Sequence, residues 1–130
     1  MGTVKRFEDL EIWSAARIIC DDVFSLKLNS DLKNDYKLYH QLNGSSGSIM
    51  DNIAEGFERN GNREFIQFLA VAKASCGETR SQLYRALDRN YLSQEDFDTF
   101  YNKLIQLSKQ IGSFINYLQK SDFKGTKFRE

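Results

Sequence analysis

Proline is absent from this chain of 130 residues, and histidine and tryptophan occur once each, as His40 and Trp13. Without proline, no interior helix position loses its backbone N–H or meets a pyrrolidine ring, so helices are free to run long. Strand-like alternation is also scarce, while apolar residues recur at helical spacing; together these predict an all-helical protein. The length and a 41% hydrophobic composition suffice for one ordinary core and therefore one domain. No apolar run approaches the roughly 20 residues that cross a bilayer. The start, Met1-Gly2-Thr3-Val4-Lys5-Arg6, lacks the apolar centre of a secretion signal, and Arg6 breaks the myristoylation pattern. A soluble, cytoplasmic protein with no membrane partner is expected.

The shortage of histidine removes most familiar chemistry. Metal sites in helical bundles use Glu-x-x-His pairs, and Lys37 stands where His40 would need its glutamate. No His-Glu-x-x-His and no phosphate-binding Gly-x-x-x-x-Gly-Lys occurs, and Gly44-Ser45-Ser46-Gly47 does not fit the Gly-x-Ser-x-Gly elbow. An Arg–His ribonuclease pair fails too, because Asn34 and Asp35 precede His40 where arginine is wanted. The two cysteines, Cys20 and Cys76, match no zinc or redox spacing and sit among helix-spaced apolar neighbours, as reduced core residues do. The expectation is a protein that is not an enzyme, with no catalytic residue, no metal and no cofactor.

What is present is four amphipathic stripes. The first helix is predicted from Glu8 or Asp9 to about Leu28, with Leu10, Trp13, Ala16, Cys20, Val23 and Phe24 on one face. After a polar connection rich in capping residues, Tyr36, Leu38, Leu42, Ile49, Ile53 and Phe57 mark a second. Asn60-Gly61-Asn62 reads as a stop and restart, with Gly61 in the left-handed position and Asn62 as N-cap. Phe65, Leu69, Ala72, Cys76, Thr79, Leu83, Ala86 and Leu87 carry a third helix to near Asn90. Ser93 caps a fourth, through Phe97, Tyr101, Leu104, Ile111, Phe114, Ile115 and Leu118. Short connections between long helices give an all-α, antiparallel up-down four-helix bundle over residues 1–120. Residues 121–130 read as a loose charged tail in which Phe123 and Phe128 could dock on a partner.

Two segments depart from a plain bundle. Asn43-Gly44-Ser45-Ser46-Gly47-Ser48 is poor helix by propensity, two glycines costing about 1 kcal/mol each. The apolar residues on either side nevertheless stay in phase, so continuous helix is favoured, its small side chains admitting a close neighbour. Further along, Asn52, Glu55, Gly56 and Arg59 share a stripe beside the apolar one. It is either a partner surface or an internal hydrogen-bonded seam. Glu55 and Glu78 fall beside apolar or small residues, where a carboxylate must find donors in Asn52, Arg59, Arg80 or another copy of the chain. Asn52, Glu55, Gly56 and Glu78 are therefore candidates for an oligomer or structural seam, and Phe57 and Phe68 are expected toward an outer surface.

Net charge is zero, yet acidic side chains outnumber basic ones up to Glu58 and the balance reverses from Arg59 onward. That permits a basic face on a neutral protein, or merely a solvated helix surface. Arg59, Arg63, Lys73 and Arg80 are the candidate nucleic-acid-binding residues; Lys73 and Arg80, seven apart, share a helix face. No exposed aromatic cluster is legible, so base stacking is not expected.

The run Arg6-Phe7-Glu8-Asp9-Leu10 with Trp13 and Ala16 is followed by Gln41, Ser48-Ile49, Asn52-Ile53-Ala54-Glu55-Gly56 and Arg59. Then come Glu64-Phe65, Phe68-Leu69, Ala72, Ser75 and Glu78. In that order these residues resemble the four-helix bundle proteins encoded in intervening sequences of bacterial 23S ribosomal RNA genes. The resemblance implies an up-down bundle assembling into a ring, typically a homopentamer, with no demonstrated enzymatic activity. It also implies similarity of fold to a basic pentameric accessory protein of retroelements that binds nucleic acid and a reverse transcriptase. The chain departs from that pattern at Asn43, Gly44, Ser45 and Ser46, where members commonly carry an arginine pair and small apolar residues, and at Met50, where proline is frequent. The expected partners are copies of the chain itself and structured RNA; the alternative is a protein-interaction adaptor ring without nucleic acid.

Overall fold

Capping signals in the sequence become helix ends in the computed structural model, which describes residues 4–121. The four helices are α1 (Glu11–Leu28), α2 (Tyr36–Glu58), α3 (Asn62–Asp88) and α4 (Gln94–Gln119). Short 3-10 turns cover Phe7–Asp9 before α1 and Asp31–Asn34 before α2. Ser93 caps α4 as expected, its hydroxyl accepting from the Asp96 amide at 3.0 Å. Asp35 caps α2, accepting from the Leu38 amide at 3.3 Å.

Three ends differ from the sequence reading. α1 starts later than Asp9, because Phe7–Asp9 close a separate 3-10 turn and Leu10 is extended and fully buried. Between α2 and α3 it is Asn60, not Gly61, that takes the left-handed conformation, at φ 67°. Gly61 is extended at φ −164° and holds the N-cap position, which makes Asn62 the first helical residue. The far end of α3 agrees with the reading: the helix stops at Asp88, and Asn90 is left-handed at φ 62°. Its amide donates to the Leu87 carbonyl and the Tyr91 amide to that of Ala86, both at 2.9 Å, so asparagine closes a Schellman motif where glycine is usual.

Pairings along the helices fix the topology. Ser45 meets Gln82 while Ser48 meets Ser75, so α2 and α3 run antiparallel. Phe65 faces Phe114 while Tyr84 faces Phe97, reversing α4 relative to α3. Cys20 meets Met50 and Lys27 meets Tyr39, reversing α2 relative to α1. Each helix packs on the next in sequence and α4 closes against α1, with α2–α3 the most extensive pairing and α1–α4 the thinnest. The result is the up-down four-helix bundle, with no strand among the described residues.

The shared centre contains Ala16, Leu42, Ile53, Leu69, Leu104 and Ile111, none more than 0% exposed. Phe57, Phe65 and Phe114 chain edge to face at one end, with centroids 5.9 and 5.5 Å apart. Phe57 is thus a core residue, not the outward one expected. On α1 the face is rotated from its expected position: Ile12 and Ile19 are buried, whereas Phe24 is 50% exposed. Both cysteines are free thiols. Cys76 is fully buried and its pKa is pushed up to about 11 by burial, while Cys20, half-buried against Met50, is raised for the same reason. Of the expected tail, Ser121 donates its amide to the Leu118 carbonyl at 3.3 Å, and the rest, with Phe123 and Phe128, lies outside the described residues.

Candidate nucleic-acid interface and polar seam

The weak-helix stretch of α2 is continuous helix, and its serines explain why. Ser46 returns its hydroxyl to the Leu42 carbonyl at 2.7 Å. Ser45 donates to Gln82 Oε1 at 2.6 Å and accepts from the Thr79 hydroxyl at 2.9 Å, and Ser48 bonds Ser75 at 2.9 Å. Ser45, Ser75, Thr79 and Gln82 are all buried, so α2 and α3 are joined by a hydrogen-bonded seam rather than by apolar contact alone. The glycines play no part in close approach: a Cβ at Gly44 or Gly47 would meet nothing within 4 Å. That role falls to Gly56, where a Cβ would sit 2.5 Å from Phe68 Cβ and 3.0 Å from Phe65 Cδ1.

Asn52 extends the seam, its amide donating to the Ser48 carbonyl at 2.8 Å and the Ser48 hydroxyl at 3.0 Å. Glu55 is exposed and accepts from Arg59 at 3.2 Å, and exposed Glu78 accepts from Gln82 at 3.4 Å. Neither glutamate is the buried carboxylate expected; each lies at the solvent edge of the seam. Thr79 lies on the inner stripe where the sequence placed it, but Ser45 and Gln82 were not read as its buried partners, because serine and glutamine beside an apolar period read as interruptions.

The four candidate basic residues divide between the two edges of α3. Arg59 belongs to the α2 side, paired with Glu55 and lying 5.1 Å over the Phe68 ring. Arg63 is exposed in the first turn of α3 and lines a groove of about 780 Å³ with Asn62, Ile66 and Leu118. Lys73 and Arg80 face α4. The Lys73 stem passes Gly112, whose added Cβ would lie 3.3 Å from Lys73 Cε, and Arg80 sits 5.8 Å over the Tyr101 ring. Lys109, not singled out in the sequence, lies three residues from Gly112 and so near that helical face. Among the described residues none of Arg63, Lys73, Arg80 and Lys109 forms an ion pair, and buried Arg80 Nη1 has no hydrogen-bond partner.

Aromatic rings accompany these cations, contrary to expectation. Tyr84, 48% exposed, stands one turn beyond Arg80, with Phe97 at 4.9 Å and Tyr101 at 5.8 Å. The cluster escaped sequence reading because Tyr84 belongs to no apolar period and meets Phe97 and Tyr101 only through the packing of α3 on α4. His40 is exposed, its ring 6.0 Å from Tyr39. Among the described residues no helix is long and apolar enough to cross a membrane.

The fold is similar to that of a protein with unknown function from the S23 ribosomal protein family of Bacteroides thetaiotaomicron, solved at 1.70 Å resolution. The TM-score is 0.72 at 22% identity, covering 80% of this chain and 97% of that one. No curated protein matches the chain. Residues 8–113, from the turn before α1 into the last third of α4, match the family described as 23S rRNA-intervening sequence protein, and the chain belongs to that family.

Proposed function

We propose that this chain is a non-enzymatic, cytoplasmic protein that assembles as a homo-oligomeric ring, of the pentameric kind the sequence resemblance implies, and binds structured RNA. One observation carries the RNA half: Lys73 and Arg80 lie on one edge, toward α4, with no carboxylate paired to either among the described residues. Unpaired cations held in place by a ring and a backbone suit phosphate oxygens, and Arg63 and Lys109 extend the charge along the bundle. Repetition around a ring multiplies a small patch into a large one. Arg59 contributes less, because Glu55 already neutralises it.

The test is RNA binding across a salt series. The full chain is expected to bind a structured RNA with an affinity that falls as salt rises, since each phosphate contact releases counterions. Replacing Lys73 and Arg80 by glutamine is expected to weaken binding and flatten the salt slope by about one per residue. Absence of binding at low salt, or binding indifferent to both replacements, contradicts the reading.

A second reading, an adaptor ring without nucleic acid, is favoured by the α1–α2 side of the molecule, away from the α3–α4 edge. Phe24, Leu28 and Tyr36 are 50%, 54% and 71% exposed there, with Lys27 lying over the Phe24 and Tyr39 rings. Apolar surface of this kind suits a protein contact, whether with another copy or a different chain. The salt series separates the two readings, and light scattering tests the ring they share: a monomer at micromolar concentration contradicts both.

A further inference from the structure

We propose that Tyr84, beside Tyr101 and Arg80, is a stacking site for an unpaired RNA nucleotide; this rests on the RNA reading above and names the part of the RNA that the α3–α4 edge takes. Tyr84 has the free surface required, at 48% exposure. Its two ring neighbours meet it at a slant, Phe97 at 53° and Tyr101 at 70°, so neither lies parallel on its face. Those neighbours are themselves stacked, 5.5 Å apart at 30°, and Phe97 is only 4% exposed, which anchors the cluster to the bundle. The platform is therefore held by the core rather than by a loop. Arg80 precedes Tyr84 by one helical turn and lies over Tyr101 without an ion pair, placing an uncompensated cation beside the half-exposed ring. Asp98 is the acidic group that bears on Tyr84, and its Oδ1 accepts from the Gln94 amide at 2.8 Å.

A half-exposed aromatic ring beside an unpaired guanidinium is the pairing that holds single-stranded nucleic acid, with the base on the ring and its phosphate on the cation. Bases inside an A-form duplex are already stacked and paired, so only loop or bulge nucleotides can use such a face.

The test compares an RNA hairpin carrying an unpaired loop with a blunt duplex of the same stem, by fluorescence anisotropy with the full chain. Wild type is expected to prefer the hairpin. Tyr84→Ala is expected to weaken hairpin binding roughly 5- to 150-fold, the range of one lost base stack, while leaving duplex binding and the salt slope in place. Tyr84→Phe, which keeps the ring, is expected to bind as wild type, and unchanged helical circular dichroism in both variants confirms folding. Equal wild-type affinity for hairpin and duplex, or an undiminished hairpin preference in Tyr84→Ala, overturns the stacking site while the RNA reading stands on duplex binding. Binding of neither RNA overturns both.

Discussion

Glycine serves two opposite purposes in this bundle. At Gly44 and Gly47 an added methyl group meets nothing within 4 Å, so alanine there removes only the entropic penalty of glycine inside a helix. Each of Gly44→Ala and Gly47→Ala is expected to raise stability by about 0.5–1 kcal/mol, read as a higher midpoint in urea. Gly56→Ala is expected to lower it by about 1–3 kcal/mol, because the new Cβ would have to displace the Phe68 stem on a packed helix. Rising stability at Gly56 would contradict the packing of α2 on α3. The sequence placed the close approach at the small side chains of residues 43–48; the serines there do meet α3 but the glycines do not, since a missing side chain does not reveal what stands opposite. Cys76 gives a pH-dependent counterpart. Its folded pKa lies above that of the exposed thiol, so its contribution is complete below about pH 9 and is lost as pH rises toward 11. Stability is expected to fall over that interval by more in wild type than in Cys76→Ala.

At the level of elements, Asp35 links the start of α2 to the end of α3. Its carboxylate caps the Leu38 amide and accepts from Tyr91 and from Arg89, each at 2.8 Å. The Tyr91 hydrogen bond, then the capping amide and Arg89, hold its pKa below the ordinary carboxylate value. Because the folded pKa is the lower one, this stabilisation is present above the ordinary carboxylate pKa and lost as acid carries the pH down through the folded value. Asp35→Ala is expected to cost about 1 kcal/mol or more at neutral pH, with the loss vanishing in acid denaturation curves. Asp35 belongs to the stretch read as a polar connection rich in capping residues, but its link to α3 was not legible, because Arg89 and Tyr91 are more than fifty positions away. The helices themselves were legible, since the repeat that buries Leu42, Ile53, Leu69 and Ile111 is local. The end of α3 near Asn90 was legible as well, but the left-handed residue between α2 and α3 was not: asparagine and glycine compete for that position, and at Asn60 the winner depends on how the next helix departs.

For the whole molecule, a neutral total conceals an uneven surface. The described ion pairs engage Arg6, Arg59, Arg89 and Lys103, and Arg63, Lys73, Arg80 and Lys109 are among the cations that stay unpaired, which along α3 include Arg85 as well. Sequence reading found three of these four but could not separate them from Arg59, because which cation meets a carboxylate is decided by facing helices. The aromatic companions Tyr84, Phe97 and Tyr101 emerge for the same reason only in the folded bundle. The most direct measurement is ultraviolet crosslinking of RNA to the full chain, followed by mapping of the crosslinked peptides. Crosslinks are expected within residues 73–84 of α3 and along the facing side of α4. Crosslinks confined to α1 and the start of α2, or none at low salt, would contradict RNA binding on this edge.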